Sequence, residues 1–403
     1  MPKRASRNGT QTGPPHVHVM DVYVTNQCNS GCRSCFVDTV KGAKGAVHLQ
    51  WKDFKAAIDV FMDPAQAPAA ARKEIAIAGG EPFLVYPLLL KAAKYVRHFP
   101  RRPHLYIHTN GTLVRPEQIR ELRAHNAGIV FSIDGGRQAH DRCRPYAKGG
   151  RMSSWKTVMD KLRDTPKDGL GTNSVLRPAN LDTMLPVLEG FRKLGFRFCD
   201  LWIDYLHVWT PAELKQLRRF CRDFADYYVE RTQADGRIPF YTGGLAHALF
   251  VGANRRGSRA WWKDCFRLTL GADGNFYDCE AMGCAPYAKV LEPHGINHAR
   301  SGRGIDWAKR QSYMDAAYRR LRQLGAEDAW QHVCPRLYYT VAQCLGAELA
   351  PLIDNLHRVS ELFFTELVKL STRLRRHPDF IRNYTSSRYP HVCDAQELSI
   401  TQR

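Results

Sequence analysis

The stretch TNQCNSGCRSCF, residues 25–36, places three cysteines within eight positions. Three residues separate Cys28 from Cys32, and two residues separate Cys32 from Cys35. One disulfide would leave a thiol unpaired, and a structural zinc site normally has four ligands. An iron–sulfur cluster also normally takes four cysteines, so three thiols around one [4Fe–4S] cube leave one iron open to a cosubstrate. The spacing therefore favours an open-iron cluster, with a zinc site or unrelated free thiols as the alternatives.

The composition indicates a globular protein with more than one domain. At 403 residues the chain is long enough to bury a substantial core. Its twelve cysteines occur without an apolar signal segment after the basic N-terminus, which favours metal or redox chemistry over a disulfide framework. The sequence contains no run of about 18 apolar residues that would predict a membrane span. We therefore expect a cytoplasmic protein with a flexible basic tail at residues 1–16.

The charge balance is strongly basic. The chain has 59 Lys and Arg residues against 39 Asp and Glu residues, a formal net charge of +20. Such a surface attracts anions, among them nucleic acid, phosphorylated metabolites and acidic peptides. Solvated helix faces explain the same charge equally well. The sequence carries no RNA- or DNA-binding motif, so a nucleic-acid partner is not expected.

Short apolar runs alternate with longer amphipathic segments from residue 17 to residue 210. Strand, crossover helix and strand, repeated at this spacing, predict an α/β fold in which helices cover a parallel sheet. Six such units predict a partial (β/α)6 barrel similar to a TIM barrel. Active sites of barrels lie at the carboxyl ends of the strands. The strand candidates are residues 18–25, 74–80, 104–110, 128–134, 172–177 and 198–208.

The remaining chain divides into three predicted parts. Thr210, Pro211 and Glu213 form a capping box with proline at the first helical position, so a helix and a linker are expected over residues 211–262. Residues 263–345 contain a second set of cysteines, and residues 346–403 are expected to form a helix and a tail. The apolar stripe of the helix after Pro211 comprises Leu214, Leu217, Cys221, Phe224 and Tyr228.

The motifs after the successive strands resemble those of the radical SAM superfamily. Its signature has three cysteines with these spacings after the first strand, followed by an aromatic residue, here Phe36. The second strand ends in GGEP at residues 79–82, the third in TNGTL at 109–113, and the fourth continues as FSIDGGRQAHDRCR at 131–144. The four motifs occur in the expected order. By this resemblance, S-adenosylmethionine is expected to contact Phe36, Gly79, Gly80, Glu81, Thr109, Asn110, Ser132, Asp134 and Arg144.

The resemblance implies a radical chemistry. The open iron would chelate the amino and carboxylate groups of S-adenosylmethionine, and Glu81 would accept a hydrogen bond from the amino group. Phe36 would cover the adenine, while Ser132 and Arg144 would hold the ribose or the carboxylate. Gly79 and Gly80 have no side chains, so their backbone can approach closely. One-electron reduction would then release a 5′-deoxyadenosyl radical that abstracts hydrogen from an unreactive carbon.

The second set of cysteines resembles the SPASM or twitch extension of radical SAM enzymes. The stretch CFRLTLGADGNFYDC, residues 265–279, contains an Asp-Gly turn that predicts a hairpin of two short strands. Because the region lacks a Cys-x2-Cys pair, we expect one auxiliary [4Fe–4S] cluster, and a small zinc subdomain is the alternative. The candidate ligands, up to four of which are needed, are Cys265, Cys279, Cys284, Cys334 and Cys344.

The expected activity is that of a radical SAM oxidoreductase or maturase. Peptide crosslinking or oxidation is slightly favoured over oxidation of a small molecule, although the short segment before the first strand leaves no room for a peptide-recognition module. Asp204 and Tyr205 are candidate bases near the end of the sixth strand, and each could instead make a structural hydrogen bond. Arg177 would bind an anionic group or the cosubstrate, or lie on the surface.

Two other functions remain open. A redox-neutral radical SAM transferase or lyase would suit a phosphorylated or nucleotide-like small molecule, because the surface is basic. A zinc-dependent nucleic-acid-binding protein is the more distant alternative. For the radical SAM activities we expect a flavodoxin- or ferredoxin-type reductant and no membrane partner.

Overall fold

Nine β-strands form one sheet in the described part of this computed structural model. The structure describes residues 17–33, 35, 37, 39, 41–69, 72–150, 152–204, 207–243, 245, 267–278, 295–324 and 349–376. The strands are β1 (Val19–Tyr23), β2 (Glu74–Ala78), β3 (His104–Thr109), β4 (Ala127–Ser132), β5 (Leu170–Leu176), β6 (Cys199–Ile203), β7 (Arg267–Leu270), β8 (Asn275–Tyr277) and β9 (Asn297–His298).

The strand order is β6-β5-β4-β3-β2-β1-β7-β8-β9. All neighbouring pairs from β6 to β1 are parallel, and so is the pair of β1 with β7. This is the α/β fold with the parallel sheet of a partial barrel that the strand–helix alternation predicts. Each predicted strand is present, and the observed strand ends differ from the predicted ones by at most five residues.

Helices connect the strands and cover one face of the sheet. Among the described residues, no helix has the length and apolar character needed to cross a membrane. The helices are α1 (Trp51–Met62), α2 (Tyr86–Tyr95), α3 (Pro116–Ala124), α4 (Arg137–Cys143), α5 (Ser154–Arg163), α6 (Leu181–Leu194), α7 (Pro211–Asp235), α8 (Trp307–Gln323) and α9 (Leu349–Leu374), with short 3-10 turns at Pro82–Val85 and Val96–His98.

The two faces of the sheet differ in polarity. On the outer face, apolar side chains such as Val22, Ile77 and Ile107 are fully buried in one continuous core with the helices. Because side chains alternate along a strand, the intervening residues lie on the inner face, where many of them are polar. The inner-face residues of β1 to β6 include Asp21, Glu74, His104, Tyr106, His108, Asn173, Asp200 and Trp202.

The helix after the barrel forms as its sequence predicts. The Thr210 side chain accepts a hydrogen bond from the Glu213 N–H, and the Glu213 carboxylate accepts one from the Thr210 N–H, so the capping box is confirmed. Cys221, which belongs to the predicted apolar stripe, is buried in the apolar core, and so is Cys199. Helix α9 packs against α7, and its Asn355 side chain accepts the Trp209 N–H at 2.8 Å.

The hairpin predicted around residues 272–274 is present, but it is part of the barrel sheet. β7 and β8 pair antiparallel, and Gly274 in the turn has a φ of +82°. β7 also pairs in parallel with β1, with Val19 opposite Arg267 and Val22 opposite Leu270. The start of the region that the sequence assigned to a separate C-terminal domain therefore extends the barrel sheet. The remaining domain boundaries stay predictions.

Candidate active site

Residues 25–36, which carry Cys28, Cys32 and Cys35, are called the cysteine loop. This loop follows β1, at the carboxyl end of the parallel sheet. Its backbone is held by the segment after α4: Gly31 N–H donates to the Pro145 carbonyl at 2.8 Å, and Arg33 N–H donates to the Cys143 carbonyl at 3.0 Å. These bonds fix the described part of the loop against the end of α4 and the segment that follows it. Cys28 is buried within it, whereas Cys35 is exposed.

Polar groups surround the thiols. Ser30 N–H donates to the Cys28 Sγ at 3.4 Å, and the Asn110 amide nitrogen lies 4.0 Å from the same sulfur. Burial raises the pKa of Cys28 to about 12, so iron must displace a proton when it binds this thiol. Burial, and to a smaller extent repulsion by Cys32, also raises the pKa of Cys35. Among the described residues, no three side chains already stand as a metal-ligand group.

This donor set fits an iron–sulfur cluster. Thiols that accept hydrogen bonds from backbone and side-chain N–H groups are typical of cluster ligands, because such bonds stabilise the negative sulfur. Three thiols in one loop can ligate three irons of a cube. The ligand roles of Cys28, Cys32 and Cys35 stay predictions, since the structure describes the protein alone.

Two glycines allow β2 to lie directly against the cysteine loop. Gly79 has a φ of +144°, and a Cβ at Gly80 would lie 2.0 Å from the Gln27 carbonyl oxygen. The close approach permits two hydrogen bonds: Gly80 N–H donates to Thr25 O at 2.6 Å, and Glu81 N–H donates to Gln27 O at 2.8 Å. The GGEP motif therefore positions the loop that carries the cysteines.

Glu81 joins the ends of β2 and β3. Its carboxylate is fully buried and accepts hydrogen bonds from the Thr109 hydroxyl at 2.6 Å, the Asn110 N–H at 2.8 Å and the Phe83 N–H at 3.1 Å. Burial raises the pKa of Glu81, and these three donors oppose that effect. The structure thus gives the Glu81 carboxylate a set of internal partners, while its expected contact with a cosubstrate amino group stays a prediction.

Asn110 connects β3 to the cysteine loop. Its amide nitrogen donates to the Asn29 Oδ1 at 2.9 Å, and the Asn29 amide nitrogen donates to the Thr112 hydroxyl at 2.8 Å. The Thr112 hydroxyl in turn donates to the Asn110 Oδ1 at 2.7 Å. In this closed ring, each side chain satisfies a hydrogen-bonding group of the next one. The ring therefore explains the presence of Asn110 and Thr112 in the TNGT sequence at the end of β3.

The fourth motif forms a buried ion pair. Asp134 accepts two hydrogen bonds from the Arg144 guanidinium, at 2.7 and 3.2 Å, and one from the Val175 N–H at 2.8 Å. Burial opposes the charged form of Arg144, but the charges of Asp134 and Cys32 outweigh it and raise the pKa of the guanidinium. Arg144 also lies 3.8 Å from the Cys32 Sγ. Ser132 is partly exposed on the inner face at the end of β4.

His140 supports this ion pair from helix α4. Its Nδ1 accepts the Asp134 N–H at 3.1 Å, and the side chain is 1% exposed. Burial lowers the pKa of His140 to about 4, whereas an unperturbed histidine has a pKa of about 6.5. The folded protein therefore holds a neutral imidazole that the unfolded chain protonates in mildly acidic solution.

Acidification should destabilise the protein through His140. The unfolded chain binds the extra proton below pH about 6.5, so this stabilisation is complete above that pH and is lost as the pH falls towards about 4. We expect His140 to contribute about 2 kcal/mol to the loss of stability between pH 7.5 and pH 5, in addition to the contribution of His108, whose pKa is also lowered to about 4. Urea denaturation at both pH values measures it. His140→Asn should show a smaller pH dependence, and an unchanged dependence in this variant would exclude His140 as the source.

Arg177 and Asp204 form a second buried ion pair. The Arg177 Nε donates a hydrogen bond to the Asp204 Oδ2, and a terminal nitrogen of the guanidinium forms an ion pair with the same oxygen. The other Asp204 oxygen accepts the His207 N–H at 3.2 Å. The structure therefore brings together two residues that the sequence assigned to different tasks, cosubstrate binding and proton transfer. Both assignments stay predictions.

The structure also reveals two inner-face residues that sequence reasoning missed. Burial and the charge of Arg267 lower the pKa of His108, on β3, to about 4. Trp202, on β6, is 48% exposed although its Nε1 donates to the buried Asp200 at 2.8 Å. The alternation of polar and apolar residues in β3 and β6 was the available signal, because it places both side chains on the face opposite the apolar core.

Several predicted site residues lie outside the described residues. The predicted residues without a description are Phe36, Tyr205, Cys265, Cys279, Cys284, Cys334 and Cys344.

Known proteins resemble the chain at low identity. GTP 3′,8-cyclase of Syntrophomonas wolfei is 23% identical over 277 residues, covering 66% of this chain and 81% of that protein. The radical SAM cyclopropyl synthase TigE of Paramaledivibacter caminithermalis is 22% identical over 319 residues, covering 73% and 59%. AlbA of Bacillus subtilis, an antilisterial bacteriocin subtilosin biosynthesis protein, is 28% identical over 163 residues, covering 38% and 34%. The chain thus spans less than two thirds of the latter two relatives.

A solved structure shares the fold. Native anSMEcpe with bound AdoMet and the Cp18Cys peptide superposes with a TM-score of 0.64 at 15% identity, covering 89% of this chain and 99% of that chain. Residues 22–190, which contain the cysteine loop and the motifs after β2, β3 and β4, match the Radical SAM superfamily. The chain therefore contains a Radical SAM domain over these residues.

Proposed function

We propose that this protein cleaves S-adenosylmethionine reductively and uses the resulting 5′-deoxyadenosyl radical to abstract hydrogen from a substrate. The observation that carries this proposal is the position of three thiols in one loop at the carboxyl end of β1. That loop is hydrogen-bonded to the Gly79–Gly80 pair and to the segment around Arg144. A [4Fe–4S] cluster bound there would supply the electron that the cleavage requires.

Residues of the chain would bind and orient the cosubstrate. Cys28, Cys32 and Cys35 would hold the cluster, which would supply one-electron chemistry to the bound cosubstrate. Gly79 and Gly80 leave their backbone bare beside the loop, which permits a close approach. Ser132 lies on the inner face at the end of β4, and Arg177 directly follows β5, which supports contacts of both residues with the cosubstrate.

We further propose one auxiliary [4Fe–4S] cluster, held by four of the five C-terminal cysteines. In the sequence, Cys265 precedes β7 by two residues and Cys279 follows β8 by two residues. The hairpin between them pairs with β1, the strand that leads into the cysteine loop. A cluster beside this hairpin would be able to accept the electron left on a substrate radical.

The substrate would bind at the polar inner face of the barrel. A neutral His108 imidazole offers one hydrogen-bond donor and one acceptor, and the exposed Trp202 ring offers a flat surface fixed through its bond to Asp200. Both features suit a peptide side chain or a small polar molecule. Relatives include a bacteriocin biosynthesis protein and a GTP cyclase, which supports both substrate classes. We favour oxidation or crosslinking of a peptide.

The decisive experiment is anaerobic. After cluster reconstitution, iron and sulfide are measured, and dithionite is added with S-adenosylmethionine while 5′-deoxyadenosine is monitored. About eight irons with the nucleoside would support both clusters, since each cube holds four. About four irons with the nucleoside would refute the auxiliary cluster but leave the proposed cleavage of S-adenosylmethionine standing. Zinc without the nucleoside would refute the proposed function.

A redox-neutral reaction on a phosphorylated or nucleotide-like molecule is the second candidate. The net charge of +20 and the similarity to a GTP cyclase favour it. Mass spectrometry of the product separates the candidates, because a two-electron oxidation lowers the substrate mass by two hydrogens and a rearrangement leaves it unchanged. Reduction by flavodoxin or ferredoxin, in place of dithionite, tests the expected physiological electron donor.

A further inference from the structure

Arg144 presents a fixed cation to the thiols of the cysteine loop. Its Nε donates to the Asp134 Oδ2 at 2.7 Å, and one terminal nitrogen donates to the Asp134 Oδ1 at 3.2 Å. The other terminal nitrogen is directed to the Cys32 Sγ, 3.8 Å away. The three contacts use the planar fork of the guanidinium, a geometry that a lysine cannot reproduce.

The partners of Arg144 keep this orientation rigid. Asp134 is fully buried and also accepts the Val175 N–H, so its carboxylate cannot turn away from Arg144. The backbone N–H of Asp134 is bonded to His140. The Arg144 side chain is 12% exposed. Water therefore screens its charge less than it would screen a surface arginine.

A bound cluster would become more negative by one charge when it is reduced. A fixed cation next to a ligand sulfur stabilises the reduced form more than the oxidised form, and N–H donors to cluster sulfurs act in the same direction. The Asp134 carboxylate, on the far side of the guanidinium, opposes this effect in part.

We propose that the Asp134–Arg144 pair sets the reduction potential of the cluster through the contact of Arg144 with Cys32. This role rests on the proposed function, because it requires a cluster on Cys28, Cys32 and Cys35. Arg144 raises the potential, and Asp134 limits the increase. Both residues tune the electron-accepting step, whether or not Arg144 also contacts the cosubstrate.

Two substitutions should shift the potential in opposite directions. Arg144→Met removes the cation, and we expect the ratio of reduced to oxidised cluster at a fixed potential to fall about tenfold, which is ~59 mV for one electron. Asp134→Asn keeps a hydrogen-bond acceptor but removes the negative charge, so the potential should rise. Potentiometric titration followed by electron paramagnetic resonance measures both, without S-adenosylmethionine. The signal that changes when S-adenosylmethionine is then added identifies the relevant cluster.

A variant with a different cation provides the control. Arg144→Lys retains the charge but cannot bond Asp134 and Cys32 together, so a smaller decrease is expected. Equal potentials in the wild type, Arg144→Met and Asp134→Asn would overturn the proposal while the proposed function stands. Failure of all three variants to take up iron would also overturn it, because the pair would then serve cluster assembly. A wild type that binds no iron would instead refute the proposed function.

Discussion

Replacing Cys28, Cys32 and Cys35 together with alanine is expected to abolish 5′-deoxyadenosine formation and to leave the auxiliary iron in place. The three thiols lie in one loop, so their loss would remove all proposed protein ligands of the cosubstrate-binding cluster. The iron content should fall from about eight to about four atoms per chain. Iron analysis and chromatography of the nucleoside product measure the two effects.

A matched cysteine variant separates ligand loss from a general effect on folding. Cys221→Ala changes a cysteine buried in the apolar core on helix α7. It should retain the full iron content and form 5′-deoxyadenosine at the wild-type rate. Complete loss of iron from the triple variant would contradict the assignment of two separate clusters. Normal nucleoside formation by that variant would exclude the cysteine loop as the catalytic centre.

Gly80→Ala should destabilise the protein and prevent cluster assembly. The new Cβ would lie 2.0 Å from the Gln27 carbonyl oxygen and 2.4 Å from its carbon, both backbone atoms of the cysteine loop. The loop must move away from β2, which breaks the bond from Gly80 N–H to the Thr25 carbonyl. Overpacking of this kind costs about 1–3 kcal/mol, and here it displaces the segment that carries Cys28. Thermal unfolding and iron content after reconstitution measure the effect.

The control for this substitution is Gly190→Ala in helix α6. No atom lies within 4 Å of a Cβ placed at Gly190, and alanine is the better helix former, so the variant should be stabilised by about 0.5–1 kcal/mol. A Gly80→Ala protein that unfolds at the wild-type temperature and binds the normal amount of iron would show that the close approach of β2 to the loop is dispensable.

Local patterns in the sequence predicted the elements of the fold well. The alternation of apolar and polar segments predicted six parallel strands, because each strand and crossover helix has its own periodicity. The capping box of α7 and the Asp-Gly turn before β8 were also readable, since their contacts join residues close in sequence. The motifs after β1 to β4 indicated the radical SAM superfamily for the same reason.

The partners of individual side chains required the tertiary structure. Glu81 was expected to face a cosubstrate, yet its carboxylate accepts three hydrogen bonds from β3 and the turn after β2. Arg177 and Asp204 form an ion pair although 26 residues separate them in the sequence. No short-range pattern contains such pairs, because they depend on the register between neighbouring strands.

The sequence by itself therefore determined the motifs that match the Radical SAM superfamily, the order of strands and helices, and the loop that carries the three cysteines. Only the tertiary structure decided that β7 pairs with β1 and that Arg144 lies between Asp134 and Cys32. The physical reason is the range of the interactions. Periodicity, caps and turns arise between residues near in the chain, whereas strand pairing and buried charge contacts arise only when distant segments pack together.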